Sequence, residues 1–198
     1  MQTKAENPIT TIQADSLPVF VQAYFEFNHL KQLYRQGWLR RGVPPERCES
    51  VAEHSFGVAV LALWLAESYA PELDIGKVIR MALLHDFGEI YAGDIIPSDP
   101  VTTEQKAQIE AQSITQVLGK LPLGESYVKL WQEFEAGASP EAQFVRQIDR
   151  LEMGLQAAVY RSQGMDNMQE FLLSARQALT DQALIDLLTQ IETLTDDG

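Results

Sequence analysis

Four residues of this chain have the types and the spacing of ligands for one divalent metal ion. His54 stands alone, His85 and Asp86 are adjacent, and Asp149 lies far downstream. Two imidazole nitrogens with two carboxylate oxygens suit Mn, Fe, Co or Zn, and they leave coordination positions open for water and substrate. The set predicts a hydrolytic centre in which the metal activates water.

A further carboxylate is placed to act beside this metal. Glu89 follows Asp86 by three residues and His85 by four, so on a helix it can share their face. It is therefore the candidate catalytic base. His85 and Asp86 themselves point in different directions on a helix, so both reach one ion only near a helix end, which Gly88 favours.

Composition predicts one domain over residues 1–198, with short flexible termini at about 1–14 and 195–198. The chain is 45% hydrophobic and has no apolar run long enough to cross a bilayer. Its net charge of −13 argues against binding to a nucleic acid polymer. The single Cys48 cannot form an internal disulfide, and no secretory signal pattern is visible, so a cytoplasmic location is expected.

Helical periodicity dominates and predicts an all-α fold. The first helix is expected from Asp15 or Ser16 to about Tyr34, followed by an irregular loop over 40–49. A capping box at Ser50 predicts the start of the second helix, and Asp74 is the expected cap of a third helix that delivers the His85-Asp86 pair. The predicted later helices span about 103–118, 123–134, 140–160, 167–177 and 181–194.

The arrangement of one His, a His-Asp pair and a distant Asp resembles that of the HD-domain metal-dependent phosphohydrolase superfamily. Within it, the chain is similar to the 5′-deoxynucleotidase (YfbR-like) subgroup. The resemblance implies a helical HD domain that hydrolyses deoxyribonucleoside 5′-monophosphates to deoxynucleoside and phosphate. The runs that carry it are Leu30 to Arg35, Ala52 to Ser55, Leu83 to Glu89, Gly93-Asp94 and Asp149 to Met153.

The resemblance also implies roles for single residues and for partners. Arg35 matches the arginine that binds the substrate phosphate, while Glu89 and Asp94 match carboxylates that manage protons. Trp38 is a candidate for the sugar pocket, but in the bacterial deoxynucleotidases a Trp follows the Arg directly, whereas here Gln36 and Gly37 intervene. The expected partners are a nucleotide substrate and a second copy of the chain in a homodimer.

Several alternatives stay open at the level of sequence. Dinuclear relatives use further histidines, and this chain has three in all, so one divalent ion (Mn, Co, Zn, Fe or Mg) is expected and a di-iron oxygenase is disfavoured. The substrate could be another small nucleotide or phosphate ester. A noncatalytic interaction module with a structural metal is the other alternative, although such a site would not need Glu89 and Asp94.

Overall fold

A computed structural model describes residues 1–12 and 16–196. Within these ranges it contains helices and no strand; the only strand-like pairings are isolated bridges from Thr3 to Leu33 and from Tyr34 to Ser50. A 3-10 helix, Asn28–Lys31, follows the second α-helix. The α-helices are α1 (Pro8–Thr11), α2 (Val19–Phe27), α3 (Gln36–Arg40), α4 (Val51–Tyr69), α5 (Ile75–Leu84), α6 (Glu89–Ala92), α7 (Thr103–Leu118), α8 (Gly124–Ala136), α9 (Pro140–Ser162), α10 (Gln169–Ala178) and α11 (Gln182–Asp196).

Helices α4 and α9 form the centre of the fold. Helix α5 packs against both of them, and α10 and α11 cover the remaining side of α9. The side chains of Val58 and Ala62 on α4 and of Ile148 and Ala157 on α9 are fully buried and belong to one hydrophobic core cluster. None of the described helices combines the length and the apolar composition needed to span a bilayer.

The predicted starts of the two helices that lead to His54 and to the His85-Asp86 pair are confirmed. Ser50 Oγ accepts a hydrogen bond from Glu53 N at 3.2 Å, and Glu53 Oε2 accepts one from Ser50 N at 2.6 Å. This capping box fixes the first turn of α4, which carries His54. Asp74 accepts from Lys77 N at 3.0 Å and caps α5. The five later helices also lie within two residues of their predicted ends.

The first predicted helix is wrong in extent. Ser16 lies in a turn, α2 begins only at Val19, and the helix gives way to the 3-10 segment after Phe27. The alternative start, Asp15, lies outside the described residues. Pro18 immediately precedes α2, where its missing N–H costs no helical hydrogen bond.

Three short helices were not predicted. Helix α1 lies within the terminus predicted as flexible, α3 follows the predicted end of the first helix at about Tyr34, and α6 follows the His85-Asp86 pair. The α3 N-terminus is held from outside, because the Asp94 carboxylate accepts a hydrogen bond from Gln36 N. That contact joins residues 58 positions apart in the chain, so local sequence signals do not reveal it.

Candidate metal centre

Three packed helices position the four predicted ligands. His54 lies in the first turn of α4, His85 ends α5 with Asp86 directly after it, and Asp149 lies in the middle of α9. Both histidines are buried, whereas Asp86 and Asp149 keep about a sixth of their side-chain surface exposed, at 16% and 17%. The cluster is thus anchored in the core and open on one side.

The Nε2 atoms of the two histidines lie next to each other and next to the carboxylates of Asp149 and Asp86. His54 Nε2 lies 3.4 Å from His85 Nε2 and 3.1 Å from Asp149 Oδ1. Asp86 Oδ2 lies 3.3 Å from His85 Nε2 and 3.7 Å from His54 Nε2. The structure therefore brings all four predicted ligands together.

Hydrogen bonds at the far side of each imidazole orient its Nε2 lone pair into the cluster. His85 Nδ1 lies 2.7 Å from Ala82 O, and a carbonyl can only accept, so Nδ1 carries the hydrogen. His54 Nδ1 lies 2.6 Å from Glu152 Oε2 and is a donor in the same way. This is the arrangement found around metal-binding histidines, in which the second nitrogen is held by a carbonyl or a carboxylate.

The remaining atoms of the cluster also fit a divalent cation. Asp86 Oδ2 is buried and, among the described residues, has no hydrogen-bond partner. Burial raises the pKa of Asp86, but the neighbouring His85 and Arg35 lower this pKa by a larger amount, so the carboxylate is ionised. Burial and Arg35 lower the pKa of His54, whereas Glu152 and Asp149 raise it more strongly, to about 10. A divalent ion can replace that proton and satisfy Asp86 Oδ2.

Glu152 lies behind the candidate ligand His54, a position that the sequence motifs did not assign to it. It lies one turn after Asp149 on α9, with a side chain only 10% exposed. A Cβ atom at Gly57 would lie 2.6 Å from Glu152 Oε1, so a side chain at position 57 would push the Glu152 carboxylate away from its present position. The three-residue spacing from Asp149 was the available signal, since it places both side chains on one helix face.

Replacing Glu152 with Gln is expected to weaken metal binding about 10- to 100-fold, the usual effect of losing a carboxylate behind a metal-binding histidine. The amide keeps the shape of the side chain but removes the charge that orients the His54 Nδ1–H. Metal affinity measured by competition with a chromophoric chelator checks this. Glu67→Gln, at an exposed position of the same helix as His54, is the control, and equal affinities in both variants would contradict the assignment.

Glu89 begins α6 beside the cluster. It is 3% exposed, and its Oε2 has no hydrogen-bond partner among the described residues. Burial raises the pKa of Glu89, and the neighbouring Asp86 and Asp94 carboxylates raise it further. A buried carboxyl group with a free oxygen and a raised pKa has the properties of a proton acceptor.

Arg35 and Asp94 approach the cluster together. Arg35 Nη1 lies 3.4 Å from Asp94 Oδ1 and 3.7 Å from Asp86 Oδ2. The other oxygen of Asp94 accepts from Gln36 N. Asp94 thus holds both the backbone that follows Arg35 and the Arg35 side chain, and the guanidinium group faces the candidate ligand Asp86.

Trp38 lies among the core side chains. It is 2% exposed, its Nε1 donates to Glu49 Oε1 at 2.8 Å, and its ring packs 4.0 Å from Phe171 and 5.2 Å from Tyr160, measured between ring centroids. These contacts account for the residue as a packing element of α3 against α9 and α10. A role of Trp38 in the sugar pocket stays a prediction.

A cleft of about 780 Å³ opens onto the cluster. Its floor contains His85, Asp86, Glu89 and Asp149, and its walls come from α7, α8 and α9. The volume lies in the range of pockets that bind small molecules. Polar and charged side chains dominate these walls; they include Lys106, Glu110, Glu135, Gln143, Gln147 and Arg150.

Comparison with known proteins agrees with this geometry. The 5′-deoxynucleotidase HDDC2 of Mus musculus is 35% identical over 170 residues, which cover 83% of this chain and 82% of that protein. The protein of the same name from Dictyostelium discoideum is 35% identical over 186 residues, covering 86% of this chain and 97% of its own.

Solved structures show the same likeness. The PH0347 protein from Pyrococcus horikoshii OT3 superposes with a TM-score of 0.73 at 32% identity, over 88% of this chain and 99% of its own. A structure described as a predicted metal-dependent phosphohydrolase from Magnetospirillum magnetotacticum MS-1 gives 0.69 at 26% identity, over 90% and 92%. The HD domain family model matches residues 27–191. Since that range covers most of the chain and includes all four clustered donors, the chain belongs to the HD domain family.

Proposed function

We propose that this protein is a metal-dependent 5′-deoxynucleotidase that hydrolyses deoxyribonucleoside 5′-monophosphates to deoxynucleoside and phosphate. The observation that carries the proposal is the similarity to proteins named 5′-deoxynucleotidase, at up to 35% identity over most of both chains. The cluster of two imidazoles and two carboxylates supports it independently, because that donor set suits a divalent ion with hydrolytic chemistry. Three of these residues, His85, Asp86 and Asp149, line the cleft.

The donors His54, His85, Asp86 and Asp149 are the proposed ligands. A divalent ion held by them would supply Lewis-acid chemistry, lowering the pKa of water and polarising a phosphoryl oxygen. The family and the donor set support a divalent cation, and Mn, Co, Zn, Fe and Mg are the candidates.

Three further side chains have proposed roles in phosphate binding, proton transfer and positioning. Arg35 binds the phosphate, since its planar guanidinium group faces the cluster and can contact two oxygens at once. Glu89 accepts a proton from the attacking water through its free Oε2. Asp94 positions Arg35, with which it is in contact, and a further part in protonating the departing 5′-oxygen stays a prediction.

The experiment that tests the proposal is phosphate release from a panel of deoxy- and ribonucleoside 5′-monophosphates. The protein is stripped with a chelator and reloaded separately with Mn, Co, Zn, Fe or Mg. We expect release only after reloading, with larger kcat/KM for deoxy than for ribo substrates. Metal binding without release from any monophosphate would contradict the proposal and would favour another phosphate ester or a noncatalytic metal-stabilised role.

Three further predictions complete the proposal. A cytoplasmic location is consistent with Cys48, a free and buried thiol. A homodimer and a single domain over 1–198 with flexible ends also stay predictions. Residues 13–14 and 197–198 of the two predicted flexible segments lie outside the described residues.

A further inference from the structure

Helix α7 lies against the segment that carries the His85-Asp86 pair. A Cβ atom at Gly88 would lie 2.8 Å from the Cβ and 3.3 Å from the Cα of Glu110, so the two backbones are in direct contact there. The Ser113 hydroxyl also accepts a hydrogen bond from Tyr91 N at 3.1 Å. These contacts fix α7 as one wall of the cleft, next to two of the residues on its floor, Asp86 and Glu89.

Lys106 projects from this wall, one turn before Glu110. It lines the cleft together with the ligands His85, Asp86 and Asp149, and its side chain is 37% exposed. The ammonium group stays charged: burial lowers the pKa of Lys106, but Glu110, Glu89 and Asp86 raise it more. A permanent cation therefore faces the same space as the metal cluster.

The only ion pair found for Lys106 among the described residues neutralises it weakly. Lys106 Nζ lies 3.4 Å from Glu110 Oε1, a separation at the long end for a charge-assisted hydrogen bond. Burial raises the pKa of Glu110 to about 7, so this carboxyl group is only partly ionised at neutral pH. Much of the Lys106 charge is left available to a ligand.

The other cations of the cleft are engaged elsewhere or lie nearer to its surface. Arg146 Nη1 donates to the carbonyl oxygens of Phe134 and Glu135, at 3.3 and 2.8 Å, at the end of α8. The Arg150 side chain is 47% exposed, with Nε 3.7 Å from Asp149 Oδ2. Lys106 is thus the cation of the cleft walls that combines partial burial with weak pairing.

A phosphate monoester creates a need for such a cation. It carries up to two negative charges, and Asp86 and Asp149 together would offset the charge of a divalent ion. Arg35 supplies one positive charge from the α3 side of the cluster. Because the chain is acidic, with a net charge of −13, it provides few other cations to balance the phosphate.

We propose that Lys106 is a second phosphate-binding residue, which contacts the substrate phosphate from the α7 wall while Arg35 contacts it from the α3 side. The inference rests on the proposed function, because it assigns a phosphate ester to the cleft. It adds a substrate contact that the motifs did not indicate, since Lys106 lies outside all of them.

The test compares wild type with Lys106→Met and Lys106→Arg, each loaded with the metal that gives the highest turnover. We expect Lys106→Met to raise KM for the deoxynucleotide about 10- to 100-fold, as loss of one charge-assisted hydrogen bond does, with kcat changing less. Lys106→Arg should restore much of the affinity. Calorimetric Kd values for inorganic phosphate should follow KM in both variants.

Lys129→Met is the matched control, because Lys129 also forms an i,i+4 pair with a glutamate, Glu125, but on the exposed face of α8. Unchanged KM and phosphate Kd in Lys106→Met, with both raised in Arg35→Met, would overturn the role of Lys106 and leave the proposed function standing. If wild type hydrolyses no monophosphate, the proposed function fails, and the phosphate Kd values still decide whether Lys106 binds the anion.

Discussion

Replacing Asp86 with Asn is expected to remove metal binding and, with it, phosphate release. Asp86 Oδ2 lies 3.3 Å from His85 Nε2 and has no hydrogen-bond partner among the described residues, so a cation is the natural partner of its charge. A metal ion contributes several kcal/mol to transition-state stabilisation. Since about 1.4 kcal/mol corresponds to tenfold in rate, the loss should be at least about 10³-fold.

The measurement pairs metal content after dialysis with the rate of phosphate release. Asp186→Asn, at an exposed position of α11, is the matched control and should keep both. Circular dichroism shows whether the Asp86 variant is folded, which separates loss of the metal from loss of the structure. A folded Asp86→Asn variant that retains stoichiometric metal and full turnover would remove Asp86 from the ligand set.

The positions of the four clustered residues could be predicted because each sits where a local signal is strong. The capping box at Ser50 fixes the start of α4 and so the place of His54. The apolar periodicity of α5 delivers the His85-Asp86 pair to a helix end, and Asp149 lies within the long regular α9. Their convergence then follows from the packing of α5 and α9 on α4.

Features that depend on long-range contacts could not be predicted in the same way. Helix α3 is capped by Asp94 from a distant loop, and its five residues carry no start signal of their own. The hydrogen bond from His54 to Glu152 joins residues 98 positions apart, and the Glu152 carboxylate lies in space that a side chain at Gly57 would occupy. Such contacts are set by tertiary packing, which residue spacing within one helix does not report.

Trp38 shows a limit of transfer from a family motif. Its indole contacts Glu49, Tyr160 and Phe171. In the family pattern the Trp follows the Arg directly, and moving a residue two positions along an α-helix turns its side chain by about 200°. Residue type alone does not reveal that rotation. The spacing from Arg35 departs from the family pattern, and the sugar-pocket role of Trp38 stays a prediction.

Glu89→Gln is expected to lower kcat about 10²- to 10⁴-fold, the range for loss of a general base, while metal binding is retained. Glutamine has the size and shape of glutamate but cannot accept the proton, and Glu89 is not among the four clustered donors. Its Oε2 makes no hydrogen bond to the described residues, so the substitution breaks no structural contact of that atom. Metal content, melting temperature and single-turnover phosphate release together check this.

Glu26→Gln provides the matched control, because Glu26 is as buried as Glu89, at 3% exposure, yet among the described residues its carboxylate pairs with Tyr91 and Lys120 and with none of the four candidate ligands. The Glu26→Gln variant should lose stability and keep kcat, whereas Glu89→Gln should keep stability and lose kcat. Metal loss in Glu89→Gln would make Glu89 a ligand instead of a base. Full kcat with full metal would remove the proposed base and leave Asp94, the other carboxylate that the family resemblance implies, as the candidate proton acceptor. Asp94 would then have to release Arg35 during turnover, since it contacts that guanidinium group.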